Sequence, residues 1–331
     1  MHPKSIAIVG TGVVGQEIIR CLDELNFMVG DLELFASARS AGNIVDTPFG
    51  VCTISEFSLD KLKDFDIVFL CVGGGFSEKF GEALSEQNGV VIDNSSYFRY
   101  HDNIPLIVPE VNPEAVKGAK LIANPNCTTA ILAVALYPIY KEFGLKRTII
   151  STYQATSGGG EASMKELEIE SKHYLAGEEV SNERFAHPIP FNLIPAIDVF
   201  QDNGYTKEEM KVTWETRKIF GNEDLKVSCT AVRIPTFRAH AESVTIQTER
   251  PVDPAKVREV LQNVPGVKVV DDPENQVYPM PLTATQKFDV EVGRIRRNDV
   301  FDDCGLDFFV CGDQILKGAA LNAVQIAQLT L

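Results

Sequence analysis

Residues 4–25, KSIAIVGTGVVGQEIIRCLDEL, contain the pattern that decides the fold of the N-terminal part of the chain. A short β-rich run from Lys4 to Val9 leads into a glycine-rich turn, GTGVVG, and then into an amphipathic segment that ends near Leu25. Two glycines allow a tight turn and the close approach of a pyrophosphate, and the third lets the helix pack on the strand. The stretch therefore predicts a dinucleotide-binding unit. Its predicted cofactor contacts are Gly10, Thr11, Gly12, Val13, Val14 and Gly15.

The second predicted strand, Leu32 to Phe35, arrives at the distance expected for such a unit and is followed by the loop ASARS at 36–40. An NAD-preferring site usually has an acid near this point, which binds the ribose hydroxyls. Here Ser37 and Arg39 stand instead, and both can hold a 2′-phosphate. The sequence therefore favours NADP(H) as the cofactor. The alternative for Arg39 is a solvated loop cation.

Further strands are predicted at 67–72, 90–93 and 121–123, with helical segments between the earlier ones, as parallel βαβ connections require. The first 126 residues are thus predicted to form a Rossmann-type, doubly wound parallel sheet in an α/β domain. A final helix at 314–329 is expected to return and complete this domain, which then comprises 1–126 and 314–331.

The pattern changes in the intervening segment, 127–313. Apolar runs alternate with helical segments, and this alternation predicts an α+β domain with a mixed sheet and helices on one side. The predicted strands lie at 148–153, 226–234, 243–248 and 307–310, and the predicted helices at 161–174 and 206–218.

Composition excludes several classes of protein. No stretch approaches the roughly 18 uninterrupted apolar residues of a membrane span, and the net charge of −15 argues against nucleic acid as a partner. Seven cysteines without a CxxC pair or a metal-type spacing to histidine indicate neither a disulfide framework nor a zinc site. Because the first strand begins at Lys4, no signal peptide is expected, and a cytoplasmic location is predicted.

Cys127 is the candidate nucleophile. It follows the turn-forming tripeptide NPN at 124–126 and precedes an apolar helical run from Ala130 to Tyr140. Backbone N–H groups at a helix start carry partial positive charge, which favours a thiolate and can hold an oxyanion. The alternative is a small buried hydrophobic side chain, which is what most cytosolic cysteines are.

Six separate stretches together resemble the aspartate-semialdehyde dehydrogenase family. They are NPNCTT (124–129), YQATSGGG (153–160), PFNLIPAID (190–198), WETRKIF (214–220), VRIPTFRAH (232–240) and KGAALNAVQIA (317–327). The resemblance implies NADPH-dependent reduction of L-aspartyl 4-phosphate to L-aspartate 4-semialdehyde and phosphate, on the way to lysine, methionine, threonine and isoleucine. It also implies that 127–313 is a catalytic and dimerisation domain, in a homodimer or a homotetramer.

The resemblance also implies roles for individual residues. Cys127 matches the nucleophile that forms a thioester, and His240 matches the acid and base, since an imidazole titrates near neutral pH. Gln154 resembles the amide that orients the thioester. Arg233 resembles the partner of the substrate α-carboxylate, which a guanidinium can bind with two hydrogen bonds. Without the resemblance, His240 reads as a structural histidine.

Four further residues resemble substrate ligands. Glu215 matches the partner of the α-ammonium group, and Lys218, three residues on along the same helix, matches a phosphate ligand. Arg99 resembles a second phosphate-binding cation, and Asn126 can donate a hydrogen bond to the same group. From spacing alone, Glu215 and Lys218 would instead be a surface ion pair.

The remaining implied contacts are with the cofactor. Ser157 and Gly158 are expected beside it, and Asn322 is expected at the nicotinamide edge. The glycines of 158–160 can alternatively be a plain flexible loop. The chain departs from the family in one respect, because its turn is GxGxxG whereas the family commonly has GxxGxxG.

Three alternatives share parts of this pattern. N-acetyl-glutamyl-phosphate reductase would have a glycine before the cysteine instead of Asn126, and glyceraldehyde-3-phosphate dehydrogenase would have Ala-Ser there. A noncatalytic relative that binds NADPH as a regulatory or redox-sensing module would be expected to lose Cys127 or its partners.

Overall fold

The computed structural model describes residues 2–331 and divides into two compact units. The first unit comprises Met1–Asn126, described from residue 2 onward, together with Gly318–Leu331. The second unit is Cys127–Lys317, so the chain passes from one unit to the other at the Asn126–Cys127 peptide bond.

Strands and helices follow one another along most of the chain. The strands are β1 (Lys4–Val9), β2 (Val29–Ala36), β3 (Ile44–Thr47), β4 (Gly50–Thr53), β5 (Ser55–Glu56), β6 (Ile67–Leu70), β7 (Val90–Asp93), β8 (Leu121–Ala123), β9 (Arg147–Gln154), β10 (Lys226–Arg233), β11 (His240–Gln247), β12 (Val267–Val269), β13 (Val290–Arg297) and β14 (Gly305–Gly312). The α-helices are α1 (Val13–Glu24), α2 (Gly74–Gln87), α3 (Cys127–Phe143), α4 (Glu161–Ala176), α5 (Lys207–Phe220), α6 (Pro254–Gln262), α7 (Pro281–Ala284) and α8 (Leu321–Leu329).

The first unit contains a six-stranded sheet in the order β5-β2-β1-β6-β7-β8, and all of its strand pairs are parallel. Buried apolar side chains line its central strands, as expected for a parallel sheet covered on both faces. Helix α8 packs on α1 and β7 within this unit. The predicted Rossmann-type parallel sheet is confirmed.

The second unit contains a mixed sheet in the order β10-β9-β11-β14-β13-β12. The β9–β10 and β12–β13 pairs are parallel and the others are antiparallel. Strand β11 alternates in burial, so His240 and every second residue after it lie on a covered face. On the opposite face Ile149 of β9 is 47% exposed. The predicted mixed sheet is confirmed.

Several elements were not anticipated from the sequence. They are the β3–β4 hairpin, β12, β13 and α6. The expected terminal helix also differs, because a π-helical turn at Leu316–Ala320 precedes regular α-helix from Leu321. Among residues 2–331, no helix is both long and apolar enough to cross a membrane.

Glu242 lies on the covered face of β11, and its burial predicts how the stability of the protein depends on pH. It is fully buried, and neither carboxylate oxygen has a hydrogen-bond partner among residues 2–331, so burial raises its pKa well above 4.5. As pH rises above 4.5, the unfolded chain releases this proton while the folded protein retains it. Folded stability therefore falls with rising pH, by up to about 1.4 kcal/mol per pH unit.

Glu242→Gln removes this titration. We expect the variant to gain stability relative to the native protein as pH increases from 4.5 toward 7, in urea unfolding followed by circular dichroism. A difference in unfolding free energy that stays constant across this range would contradict a protonated Glu242.

Candidate active site

The topology of the second sheet brings three predicted site residues to one edge. Gln154 and Arg233 end the parallel strands β9 and β10 and are paired in register. His240 begins β11, which runs antiparallel to β9 with Ala241 opposite Tyr153. Since carboxyl ends of parallel strands meet the amino end of an antiparallel neighbour, the three side chains lie together.

The peptide group of Ala155 orients two of these side chains. Its N–H donates to Nδ1 of His240 at 3.1 Å, and its carbonyl oxygen accepts from a terminal nitrogen of Arg233 at 2.5 Å. A backbone N–H can only donate, so Nδ1 must be an acceptor and a neutral His240 carries its proton on Nε2. Nε2 is buried and has no hydrogen-bond partner among residues 2–331, so it is a donor without an acceptor.

The charge state of His240 differs from the expectation of titration near neutral pH. Burial, followed by the positive charge of Arg233, lowers its pKa to about 3, and Glu208 opposes this only in part. The resting imidazole is therefore neutral across the physiological range. With its hydrogen on Nε2, it can donate a hydrogen bond to a developing oxyanion.

Gly158 lies against both His240 and Arg233. A β-carbon at this position would be 2.9 Å from a guanidinium nitrogen of Arg233 and 3.5 Å from Nε2 of His240. A side chain at this position would press on the guanidinium of Arg233, so glycine favours the close packing of the loop after β9. The neighbouring Ser157 is buried, and its hydroxyl accepts a hydrogen bond from the side-chain amide of Gln314. The loop is therefore a packed part of the site.

Cys127 is the first residue of α3, as expected from the sequence, and it is partly exposed. Burial lowers the pKa of the Arg233 guanidinium, and the charges of Glu208 and Cys127 oppose this effect. The Cys127 sulfur is therefore near enough to Arg233 for their charges to interact. A cation and a helix start both favour a thiolate. By contrast, burial raises the thiol pKa of Cys71, Cys229 and Cys311.

Helix α5 carries Glu215 and Lys218. Its N-terminus is fixed by a capping box in which Thr206 and Glu209 bond to each other's backbone N–H groups. Glu215 is fully buried, which argues against the surface ion pair considered above, while Lys218 is partly exposed. Helix α5 also presents Glu208 to Gln154, a contact that the sequence did not indicate.

Five of the predicted cofactor residues line one cleft of about 600 Å³, whereas Val13, Val14, Gly15 and Asn322 are not part of its wall. Its wall includes Gly10, Thr11, Gly12, Ser37, Ala38, Arg39, Ser40, Phe57 and Phe76. The backbone of Gly10 has φ of +101°, and a β-carbon there would lie 2.3 Å from the carbonyl oxygen of Cys71. A β-carbon on Gly12 would meet no protein atom within 4 Å, so this side of the turn is open to a ligand.

Arg99 and Asn322 support the segment that precedes Cys127. Arg99 donates to the carbonyl oxygens of Asn124 and Asn94, at 2.8 and 3.0 Å. Asn322 is fully buried, and its amide nitrogen donates to Oδ1 of Asn124 at 2.6 Å and to the carbonyl of Ile107 at 2.9 Å. These contacts tie α8 to the NPN segment, and the place of Asn322 at the nicotinamide edge stays a prediction.

Sequence models of two domain families match the chain. A semialdehyde dehydrogenase NAD binding domain matches residues 5–119, and a semialdehyde dehydrogenase dimerisation domain matches residues 136–317.

Curated relatives and a solved structure are similar over nearly the whole chain. Aspartate-semialdehyde dehydrogenase of Aquifex aeolicus is 47% identical over 98% of this chain and 97% of its own length. The enzyme of Campylobacter jejuni is 44% identical over 98% and 96%. The crystal structure of aspartate semialdehyde dehydrogenase II from Vibrio cholerae, complexed with ASA, has a TM-score of 0.94 at 40% identity and covers 99% of this chain and 98% of that one. The chain therefore belongs to the aspartate-semialdehyde dehydrogenase family.

Proposed function

We propose that this protein catalyses the NADPH-dependent reductive dephosphorylation of L-aspartyl 4-phosphate to L-aspartate 4-semialdehyde through a thioester on Cys127. The observation that supports the proposal best is the grouping of Gln154, Arg233 and His240 at one sheet edge, with Cys127 in electrostatic range of Arg233. The full-length relatives carry the corresponding enzyme name. The product would feed the synthesis of lysine, methionine, threonine and isoleucine, in the cytoplasm.

The cleft of the first unit fits a dinucleotide. The open face at Gly12 would admit the pyrophosphate, and Ser37 and Arg39 would hold a 2′-phosphate. Val13 and Val14 begin α1, whose N-terminus adds partial positive charge. When bound, NADPH supplies the hydride that reduces the thioester.

The side chains of the second unit account for the remaining chemistry. The Cys127 thiolate attacks the acyl carbonyl, a carbon–sulfur bond forms and the carbon–oxygen bond to phosphate breaks. Arg233 binds the substrate α-carboxylate, and the buried Glu215 binds its ammonium group. We retain Arg99, Asn126 and Lys218 as proposed phosphate ligands.

His240 acts on the carbonyl oxygen. In the reverse direction, addition of the Cys127 thiolate to the aldehyde leaves negative charge on this oxygen. The Nε2–H of His240 has no acceptor among residues 2–331, and it donates to that charge without first having to break a hydrogen bond. The fixed tautomer therefore supports His240 as the hydrogen-bond donor to this oxygen.

The reverse reaction tests the proposed function. Purified protein is expected to reduce NADP⁺ with L-aspartate 4-semialdehyde only when phosphate is present, as measured by absorbance at the NADPH band. N-acetyl-glutamyl semialdehyde is expected to give no comparable rate. NADPH binding without any turnover would indicate the noncatalytic relative instead.

Arg39→Ala tests the proposed cofactor preference. Loss of a guanidinium from a 2′-phosphate removes a charge-assisted interaction, so KM for NADP⁺ is expected to rise about tenfold to hundredfold. The KM for NAD⁺, which has no 2′-phosphate, should stay within about twofold. Equal changes for both cofactors in steady-state kinetics would place Arg39 outside the 2′-phosphate site.

We also propose a homodimer, or a pair of dimers, formed through the second unit. The matching of residues 136–317 to a dimerisation domain supports this assembly. The partly apolar outer face of β9, with exposed Ile149, offers suitable surface. Light scattering coupled to size-exclusion chromatography should give a mass of two or four times 36.4 kDa.

A further inference from the structure

Glu208 lies in the first turn of α5 and contacts the site residue Gln154. It is 6% exposed. One carboxylate oxygen accepts from the side-chain nitrogen of Gln154 at 3.2 Å, and the other accepts from Nζ of Lys211 at 3.0 Å. Lys211 also donates to Asp198 at 2.8 Å, and this second contact fixes its ammonium group beside Glu208.

The opposite end of the Gln154 amide is also fixed. Its oxygen accepts from the hydroxyl of Thr152 at 3.0 Å, and that hydroxyl in turn accepts from the backbone N–H of Val232 at 3.2 Å. Because the Val232 N–H donates to a lone pair of the Thr152 hydroxyl, the hydroxyl hydrogen is available to point to the oxygen of Gln154. A carboxylate can only accept, so Glu208 requires the nitrogen end of Gln154 to face it. The two contacts together allow one orientation of the amide.

Charge connects Glu208 to the other site residues. Burial acts to lower the pKa of both Arg233 and His240, and the Glu208 carboxylate acts to raise both. Burial also acts to lower the pKa of Lys211, yet Glu208 and Asp198 raise it overall, so Lys211 stays protonated. Glu208 is therefore paired with a protonated Lys211.

We propose that Glu208 is a positioning residue that fixes the orientation of Gln154 and so presents the second N–H of that amide to the reacting substrate. The inference rests on the proposed function, in which Gln154 orients the thioester. Glu208 itself touches no reacting atom and acts through Gln154.

Glu208→Gln tests the proposal with little change of shape. Lys211 donates only, so the new amide must turn its oxygen to Lys211 and its nitrogen to Gln154. Two donors then face each other, and Gln154 loses its fixed orientation. We expect kcat of the phosphate-dependent reaction to fall about tenfold to hundredfold, with KM values within about threefold.

A double-mutant cycle separates positioning from a general structural effect. In a Gln154→Ala background, Glu208→Gln is expected to lower kcat by less than about twofold, because the side chain on which it acts is absent. An equal fold loss in both backgrounds would overturn the proposal.

Glu209→Gln is the matched control. Glu209 is also 6% exposed and stands next to Glu208, but it bonds to the backbone N–H groups of Thr206 and Ala231. Its substitution should lower the melting temperature at least as much as Glu208→Gln, with kcat within about twofold. If both variants lose kcat equally, the loss is caused by a less stable α5, and the proposal is wrong.

A spectroscopic measurement decides the question without turnover. The side-chain amide signals of Gln154, assigned by their absence in Gln154→Glu, are expected to shift and to exchange faster with water in Glu208→Gln but not in Glu209→Gln. Unchanged signals in Glu208→Gln would contradict the proposal. If the native protein has no activity, the proposed function fails, and this readout still decides whether Glu208 positions Gln154.

Discussion

Cys127→Ala is expected to reduce phosphate-dependent reduction of NADP⁺ to background, a loss of at least about ten thousandfold. The proposed route requires a covalent bond between the substrate carbonyl and the sulfur at the start of α3. Alanine retains the helix start and a small side chain but cannot form that bond. Steady-state assays with L-aspartate 4-semialdehyde measure the loss, and Cys127→Ser should be nearly as inactive because its hydroxyl is far less nucleophilic at neutral pH.

Two controls accompany this variant. Cys71→Ala should keep activity within about twofold, since burial raises the pKa of the Cys71 thiol and makes it a poor nucleophile. NADPH affinity of Cys127→Ala, measured by fluorescence titration, should match that of the native protein because the cofactor cleft is untouched. Residual phosphate-dependent turnover above one percent in Cys127→Ala would rule out the thioester route.

The first sheet was predictable because its signals are local. The stretch from Lys4 to Leu25 contains strand, turn and helix in order, and each glycine has a separate geometric reason. Strands β6, β7 and β8 are continuous apolar runs, which is the pattern of a sheet covered on both faces. The start of α3 at Cys127 was equally visible, because NPN cannot continue a helix backward.

Other elements depend on distant contacts and left weak local signals. Strand β12 has only three residues, and β13 contains Gly293 and an irregular register opposite β14. A β-carbon on Gly293 would lie 2.0 Å from the carbonyl oxygen of Val270, so this glycine serves close packing that no local pattern reveals. The β3–β4 hairpin has no fully buried residue and thus lacks a clear apolar alternation.

The electrostatic state of the site was the least accessible from sequence. An isolated histidine titrates near neutral pH, and only the fold shows that His240 is sealed beside Arg233. Glu208 and Glu209 look alike in sequence, since both are acids in the first turn of a helix. Their partners differ because Glu208 contacts Gln154 of β9 whereas Glu209 contacts the backbone of β10, and that is a property of the tertiary structure.

His240→Asn is expected to lower kcat about a hundredfold to ten thousandfold. The Oδ1 of asparagine can occupy the place of Nδ1 and keep the hydrogen bond from the Ala155 N–H, so the strand edge should remain ordered. What disappears is the Nε2–H, the donor proposed to act on the carbonyl oxygen. KM for the aldehyde should change by less than about threefold, because the residues proposed to bind it, Arg233 and Glu215, are unchanged. A kcat within twofold of the native value would remove His240 from the chemistry.

The stability of the same variant distinguishes lost chemistry from lost structure. Burial and Arg233 lower the folded pKa of His240 from 6.5 to about 3, so between these values the unfolded chain binds a proton that the folded protein does not. Folded stability of the native protein therefore falls as pH decreases from 6.5, and this contribution reaches about 2 kcal/mol at pH 5. His240→Asn lacks the term, so its stability relative to the native protein should improve by that amount between pH 7.5 and pH 5 in urea unfolding. A relative stability that does not change with pH would mean that His240 is protonated in the folded protein as readily as in the unfolded chain, and the neutral donor proposed for the reaction would then be the wrong species.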